Sequence, residues 1–351
     1  MTKSLLSLAL VAIAWVLSGV SVQAQPVRAF VALTGSDANP CTFVSPCKSA
    51  QHAHDIVAPG GEVRMLDPGS YGLLTITKAV SILGDGHGGL AACCGLTAVT
   101  INAGAGDRIN LRGLVIEGFF GGGSGIQLNS AGFLDIQDCI IRDFNGNGMN
   151  FSPSSILGIS MTNSTVSANF GQGIELQPVA SSGTINVSLD RVTLASNGGN
   201  GLDVTGTFVA INVSVYNSAI ANNGGGIRSQ SDGPPAAVTV HHSEIAGNGI
   251  GLQAAGATGT VRFTKSTITG NGTGISGVSG GTLESFGDNA LRGNTTDGVP
   301  TATVTLKSGV FRASAAGGAR SAPCGCHRCR PAASSSRWPR WPFLGKCSSR
   351  F

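Results

Sequence analysis

The sequence predicts an all-β solenoid, one chain wound into stacked rungs of short strands with a short helix over its N-terminal end. Three observations carry this. A phrase of about 25 residues recurs between Ile136 and Asn294, and tandem self-similarity at that period is the mark of a repeat architecture. Within each copy the apolar residues alternate with the period of a strand and lack the spacing of a helix. Finally, 53 of the 351 residues are Gly, while only 11% are charged and 5% aromatic, a composition suited to many tight turns.

The copies read MTNSTVSANFGQGIEL, LDRVTLASNGGNGLDV, VYNSAIANNGGGIRS, VHHSEIAGNGIGLQA and FTKSTITGNGTGISG. An Asn closes each copy, at Asn169, Asn197, Asn223, Asn248, Asn271 and Asn294. A Gly-aliphatic step follows, with its aliphatic residue at Ile174, Leu202, Ile227, Leu252, Ile275 and Val299. Rungs stacked at the strand spacing of about 4.8 Å place like residues over like, so the copies can be read as vertical columns. Ile136, Met161, Leu189, Val215, Val240 and Phe263 form one inward column, and Ile141, Val166, Leu194, Ile220, Ile245 and Ile268 a second. Each buried member contributes about 1.5–3 kcal/mol, but no rung can bury its face alone. Cys139, Ser164, Ser218, Ser243 and Ser266 make a column of small residues, interrupted by Val192. The Asn column reads as an inward amide ladder at a bend, with Phe119 and Phe144 as a stacked aromatic pair in its first two places.

Ahead of the repeats, Lys3, the apolar run LLSLALVAIAWVLSGVSV and VQA before Gln25 spell a secretory signal peptide over residues 1–24, cleaved after Ala24. The mature chain is therefore expected to be secreted or periplasmic and free of membrane spans. The formal net charge of +4 is unevenly placed. Between residues 25 and 307 there are 13 Lys and Arg against 18 Asp and Glu, a net of −5. An acidic body argues against nucleic acid, and against unaided binding of an acidic polymer. Cys41 and Cys47 fit a local disulfide in an oxidising compartment, and Cys139 reads as a packed thiol; the adjacent Cys93 and Cys94 have no evident role.

Residues 25–57 hold a short strand, RAFVAL, the disulfide loop, and KSAQHAHDIVA, about two helical turns whose Ala53, Ile56 and Val57 face inward as a lid. His52 and His54 are expected on its solvent side. The solenoid proper spans 58–307, with roughly nine or ten turns. Residues 308–351 contain no acid and no repeat phrase, and are expected to be a basic, low-complexity, disordered tail. The tail's Cys324, Cys326, His327 and Cys329 are metal-ligand residue types in a spacing that matches no zinc module.

An Ala-rich helix followed by PGG, a strand, PGSY and LTITKAVSILG resembles the opening of the right-handed parallel β-helix proteins of the pectate-lyase-like superfamily. The resemblance covers residues 28 to about 306. It implies a single-stranded right-handed parallel β-helix, a capping helix, a bend that includes Tyr71, and catalysis, where there is any, on the outer face of one sheet. It leaves function open, since one fold hosts many.

Two outward columns could carry chemistry. The first reads Gln127, Asn150, Glu175, Asp203, Arg228, Gln253, Ser276. Glu175 and Asp203 on adjacent rungs would lie near the strand spacing, close to the carboxyl separation of about 5–5.5 Å in retaining glycosidases. In a lyase they would hold calcium while Arg228 assists proton removal. The second reads Gln137, Thr162, Asp190, Tyr216, His241, Thr264, where Asp190, Tyr216 and His241 could form a proton-transfer line. A solvated sheet surface would carry the same residues. Against catalysis, the chain lacks the Asp-Asp doublet of polygalacturonases and the Asp-Pro-His-Glu run of alginate epimerases. The expected function is an exported protein that binds, and in a catalytic form processes as a lyase or glycoside hydrolase, extracellular or envelope polysaccharide. The alternative is a non-catalytic structural or adhesive solenoid. Nothing in the sequence sets the oligomeric state.

Overall fold

The computed structural model describes residues 25–304 apart from positions 120, 157 and 181. The expected signal peptide and basic tail lie outside the described residues. From Gly61 to Val278 each turn of the chain lays one strand in each of three parallel sheets, of twelve, ten and nine strands. One turn runs through Phe133–Gln137 in the twelve-stranded sheet, Ile140–Arg142 in the ten-stranded sheet and Met149–Phe151 in the nine-stranded sheet. The next turn repeats this with Gly158–Thr162, Thr165–Ser167 and Ile174–Leu176. The result is a parallel β-helix.

The columns stack in the register that the repeat predicts. Ile136 pairs with Met161, and the series continues through Leu189, Val215 and Val240 to Phe263. In the ten-stranded sheet Ile141, Val166, Leu194, Ile220, Ile245 and Ile268 are successive partners. All are buried, as are Ile174, Leu202, Ile227, Leu252 and Ile275 of the nine-stranded sheet, so three aliphatic walls fill the coil. Val299 departs from the pattern at 79% exposure. The bridge between Thr273 and Thr296 aligns Ile275 with Gly298 and the outward Ser276 with Val299, so the extra residue between Asn294 and Val299 turns that side chain outward.

The Asn column is a continuous ladder. From Asn169 through Asn271, each Nδ2 donates to the Oδ1 of the next Asn at 2.8–3.0 Å. From Asn197 onward, each Nδ2 also donates to the carbonyl of the aliphatic residue one rung back, Val166 for Asn197 and Leu194 for Asn223. The same Oδ1 atoms accept the backbone N–H of the preceding Asn, at 3.0 Å between Asn197 and Asn223. The bend thus leaves its buried polar groups paired at nearly every rung. The Gly of the Gly-aliphatic step packs against the ladder. A Cβ on Gly173 would stand 2.9 Å from Asn197 Nδ2 and 2.5 Å from the carbonyl oxygen of Gly201, which leaves room for hydrogen only.

Phe144 takes the first place in the column, buried, its N–H donating to Asn169 Oδ1. The expected partner ring is not there: Phe119 is 47% exposed. Phe144 fills the room itself, because Gly118, Gly122 and Gly125 let its ring approach to within 2.9–3.2 Å of where their Cβ atoms would be. The small-residue column proves to be a second ladder. Ser218, Ser243 and Ser266 each donate Oγ–H to the carbonyl two residues earlier. Each also accepts a backbone N–H from the rung before, those of Val192, Ser218 and Ser243 respectively. Cys139 is buried in this column, and burial pushes its thiol up to about 12.

At the N-terminal end the Cys41–Cys47 disulfide forms, and the helix Ala50–Ile56 covers the first rungs. Ser49 caps it by accepting from His52 N, and Asp37 accepts from the backbone of Lys48 and Ser49. His54 corrects the expectation of a solvent-side residue, at 1% exposure. Its Nε2 accepts the Thr77 N–H at 3.3 Å and its Nδ1 meets Asp55 Oδ1 at 3.0 Å, so the imidazole pins the lid to the coil as the Nδ1–H tautomer. Burial lowers its pKa below 6.5, and Lys78 adds to this against the opposing Asp55.

Two outcomes follow. Asn197→Ala removes the acceptor of Asn169 and one donor each to Val166 and Asn223, all in the buried stack, so urea unfolding should show a loss of about 2–4 kcal/mol. For His54, the unfolded chain takes up a proton near pH 6.5 while the folded lid resists it. Its contribution is therefore complete above that pH and declines as pH falls from there toward the folded value. The protection factor of the Thr77 amide should drop on going from neutral to mildly acidic pH, and His54→Leu should flatten that dependence.

Candidate functional site

Both outward columns form, on different sheets. On the nine-stranded sheet Gln127, Asn150, Glu175, Asp203, Arg228, Gln253 and Ser276 are successive Cα partners. Asp203 is only 2% exposed. Arg228 grips it with two hydrogen bonds, Nε to Oδ1 and Nη2 to Oδ2, each 2.9 Å, and Asn200 Nδ2 adds a third to Oδ2 at 3.0 Å. Glu175 is half-buried, and its Oε2 accepts from Asn147 Nδ2 at 2.6 Å.

Three residues that the column reading overlooked tie these rungs together. Asn147 Oδ1 accepts from Gln172 N at 2.8 Å, and Gln172 Oε1 in turn accepts the backbone N–H of Asn200. An amide relay therefore runs from Glu175 through Asn147, Gln172 and Asn200 to Asp203. The signal was in the repeat: the residue before the Gly-aliphatic step is an amide in three consecutive rungs.

As placed, this set does not make a calcium site. Calcium takes six to eight oxygen ligands, whereas both oxygens of Asp203 are held by a guanidinium and one oxygen of Glu175 by an amide. What the arrangement offers outward is a half-exposed arginine face, amide groups and one carboxylate.

On the twelve-stranded sheet Gln137, Thr162, Asp190, Tyr216, His241 and Thr264 are likewise in register. Tyr216 and His241 touch edge to face, ring centroids 5.6 Å apart. Asp190 turns aside, to Arg191 at 2.5 Å and to Asn217 Nδ2 at 3.0 Å. Burial, His242 and Lys265 lower the pKa of His241, with Asp288 opposing, which keeps the imidazole neutral near pH 7. Elsewhere Cys41, Cys47 and His52 bring ligand atoms within 4.8 Å of one another, but the disulfide leaves the sulfurs no thiolate to bind with.

No protein-family model matches the sequence, and no curated protein matches it. Among solved structures, pectate lyase Pel9A superimposes with a TM-score of 0.56 at 14% identity, over 74% of this chain and 74% of that one. The fold is the pectate-lyase-like parallel β-helix. The A-modules of two Azotobacter vinelandii mannuronan C-5 epimerases align at 15% and 16% identity, over 80% and 73% of this chain and 90% and 92% of theirs. Their TM-scores of 0.37 are too low to argue from. In this pectate-lyase-like β-helix, then, the expectation of fold drawn from PGSY and the Asn repeat holds. At 14% identity the likeness extends to the fold and stops there.

The ion pair on the nine-stranded sheet should behave as a buried one. Arg228→Ala leaves the buried Asp203 charge with only the Asn200 amide, a loss of about 2–4 kcal/mol in urea melts after discounting for the arginine's partial exposure. Adding Asp203→Ala to that variant should return much of it, the signature of a coupled pair.

Proposed function

We propose that this chain is an exported polysaccharide-binding protein, and that the outer face of its nine-stranded sheet, with the turns leading into it, is the binding surface. The observation that carries this reading is the pairing of an aromatic platform with the amide relay. Phe170 is 81% exposed, two residues before Gln172 and on the same turn. An exposed aromatic ring on the turn that leads into a face of Asn, Gln and Arg groups suits the apolar face and the hydroxyls of a sugar. Repetition along the coil suits a polymer, because successive rungs offer similar groups at a constant spacing of about 4.8 Å. With a body of net charge −5, the fitting ligand is a hydroxyl-rich glycan of low charge.

A catalytic form of this reading rests on the twelve-stranded sheet. There the neutral imidazole of His241 lies against Tyr216, two groups able to accept and donate a proton in a lyase-type elimination. The Glu175, Asp203 and Arg228 set would serve that chemistry only if Arg228 released Asp203.

Affinity electrophoresis of the tag-free protein through gels containing neutral glucans, polygalacturonate or alginate tests both forms. Retardation by at least one glycan is expected, weakened about tenfold by Phe170→Ala and by Asn147→Ala. Unsaturated-product absorbance that depends on His241 would add the lyase activity. Failure to be retarded by any glycan would leave the structural or adhesive solenoid as the better account.

A further inference from the structure

The turn that joins the twelve-stranded to the ten-stranded sheet carries a feature that glycan binding does not use. In each of five rungs its first residue adopts a left-handed conformation: Asn163, Arg191, Asn217, His242 and Lys265 all have φ between 47° and 53°. Adjacent residues of a strand point to opposite faces. A left-handed residue breaks that alternation and can bring a side chain back beside its predecessor. Arg191 does so, reaching Asp190 at 2.5 Å. His242 does the same to His241, and the two Nδ1 atoms stand 3.1 Å apart with ring centroids 4.2 Å apart.

We propose that His241 and His242 form a two-imidazole site for a divalent transition ion, bound through both Nδ1 atoms. The bite fits. Zinc lies about 2.0–2.1 Å from imidazole nitrogen, so two cis ligands at angles between 90° and tetrahedral stand about 2.8–3.4 Å apart. The observed 3.1 Å falls inside that window, while the 4.2 Å between ring centroids is shorter than the roughly 4.8 Å at which both nitrogens would aim at one ion, so binding tilts the rings slightly apart. Imidazole nitrogen selects zinc, copper and nickel over calcium or magnesium. The surrounding side chains do not close the shell. Asp288 is held by Thr264 Oγ1 and the Lys265 N–H, and Tyr216 presents its ring to His241. The ion would keep open positions toward solvent, available to an anionic oxygen ligand such as a carboxylate.

A hydrogen bond from one Nδ1–H to the other Nδ1 would give the same separation, so the test must tell chelation from that bond. The tag-free full chain, labelled with nitrogen-15 at histidine, is titrated with zinc chloride at neutral pH and followed by long-range nitrogen–proton correlation spectra. Chelation predicts that the Nδ1 signals of His241 and His242 move together, and that both Nε2 atoms stay protonated. In His241→Gln the response of His242 should need at least about tenfold more zinc, because the second arm of the chelate is gone. His87→Gln serves as the control and leaves both responses unchanged. Binding through Nε2, independent titration of the two rings, or no response at either ring would each overturn the proposal. Zinc taken up only at other residues would do the same.

Discussion

The fold depends on one constraint: residues about 25 positions apart must lie directly above one another. The side-chain amides enforce it. In an ordinary sheet a slip by one residue costs only the exchange of faces, but here it would also pull every Asn away from the oxygen above it and the carbonyl beneath. The Ser column applies the same rule at the preceding corner, where each hydroxyl closes the backbone of the rung before. Aliphatic walls supply most of the burial energy, since they exclude water over all three sheets. They do not by themselves fix which rung stacks on which residue, because Val, Ile and Leu interchange freely within a column. Polar ladders at two of the corners do.

The same stacking creates the surface chemistry. Once the inward columns are fixed, the outward ones follow, and side chains distant in sequence become neighbours at strand spacing. Glu175, Asp203 and Arg228 are adjacent for this reason, and so are Tyr216 and His241. Adjacency alone does not decide function. Arg228 closes over Asp203, which turns a would-be carboxylate pair into a buried ion pair. The outer face then presents amides and a guanidinium edge, and the turn that leads into it carries the exposed ring of Phe170.

Much of this was legible in the sequence, and the reasons are physical. A repeat prints its register directly, so the inward columns, the Asn ladder, both outward columns and the Cys41–Cys47 bridge could be named from spacing. The misreadings fall where the repeat ends or where three dimensions add a partner. His54 sits on a helix of only seven residues, too short for its periodicity to declare a face, and the backbone of Thr77 supplies the contact that draws it inward. Phe119 lost its place to Phe144, because flanking glycines admit one ring and not two. Val299 follows the repeat phrase, yet one extra residue after Asn294 shifts it into the outward register of Ser276. The relay through Asn147, Gln172 and Asn200 escaped notice because hydrogen bonds between rungs depend on side-chain direction, which a column of letters does not record.

The amide ladder also has a sense of direction. Every Nδ2 from Asn169 to Asn271 looks forward for its acceptor, so each rung buries a donor that only its successor can satisfy. At the last described rung Asp297, three residues further along the same turn, accepts from both the backbone N–H and the Nδ2 of Asn294, at 3.1 and 2.9 Å. A carboxylate there is a stop: it relieves the final asparagine without requiring another coil. An Asn-x-x-Asp pair placed in an earlier copy would satisfy the forward-pointing donor one rung sooner, so a single carboxylate is enough to close a run of amides that otherwise all point onward.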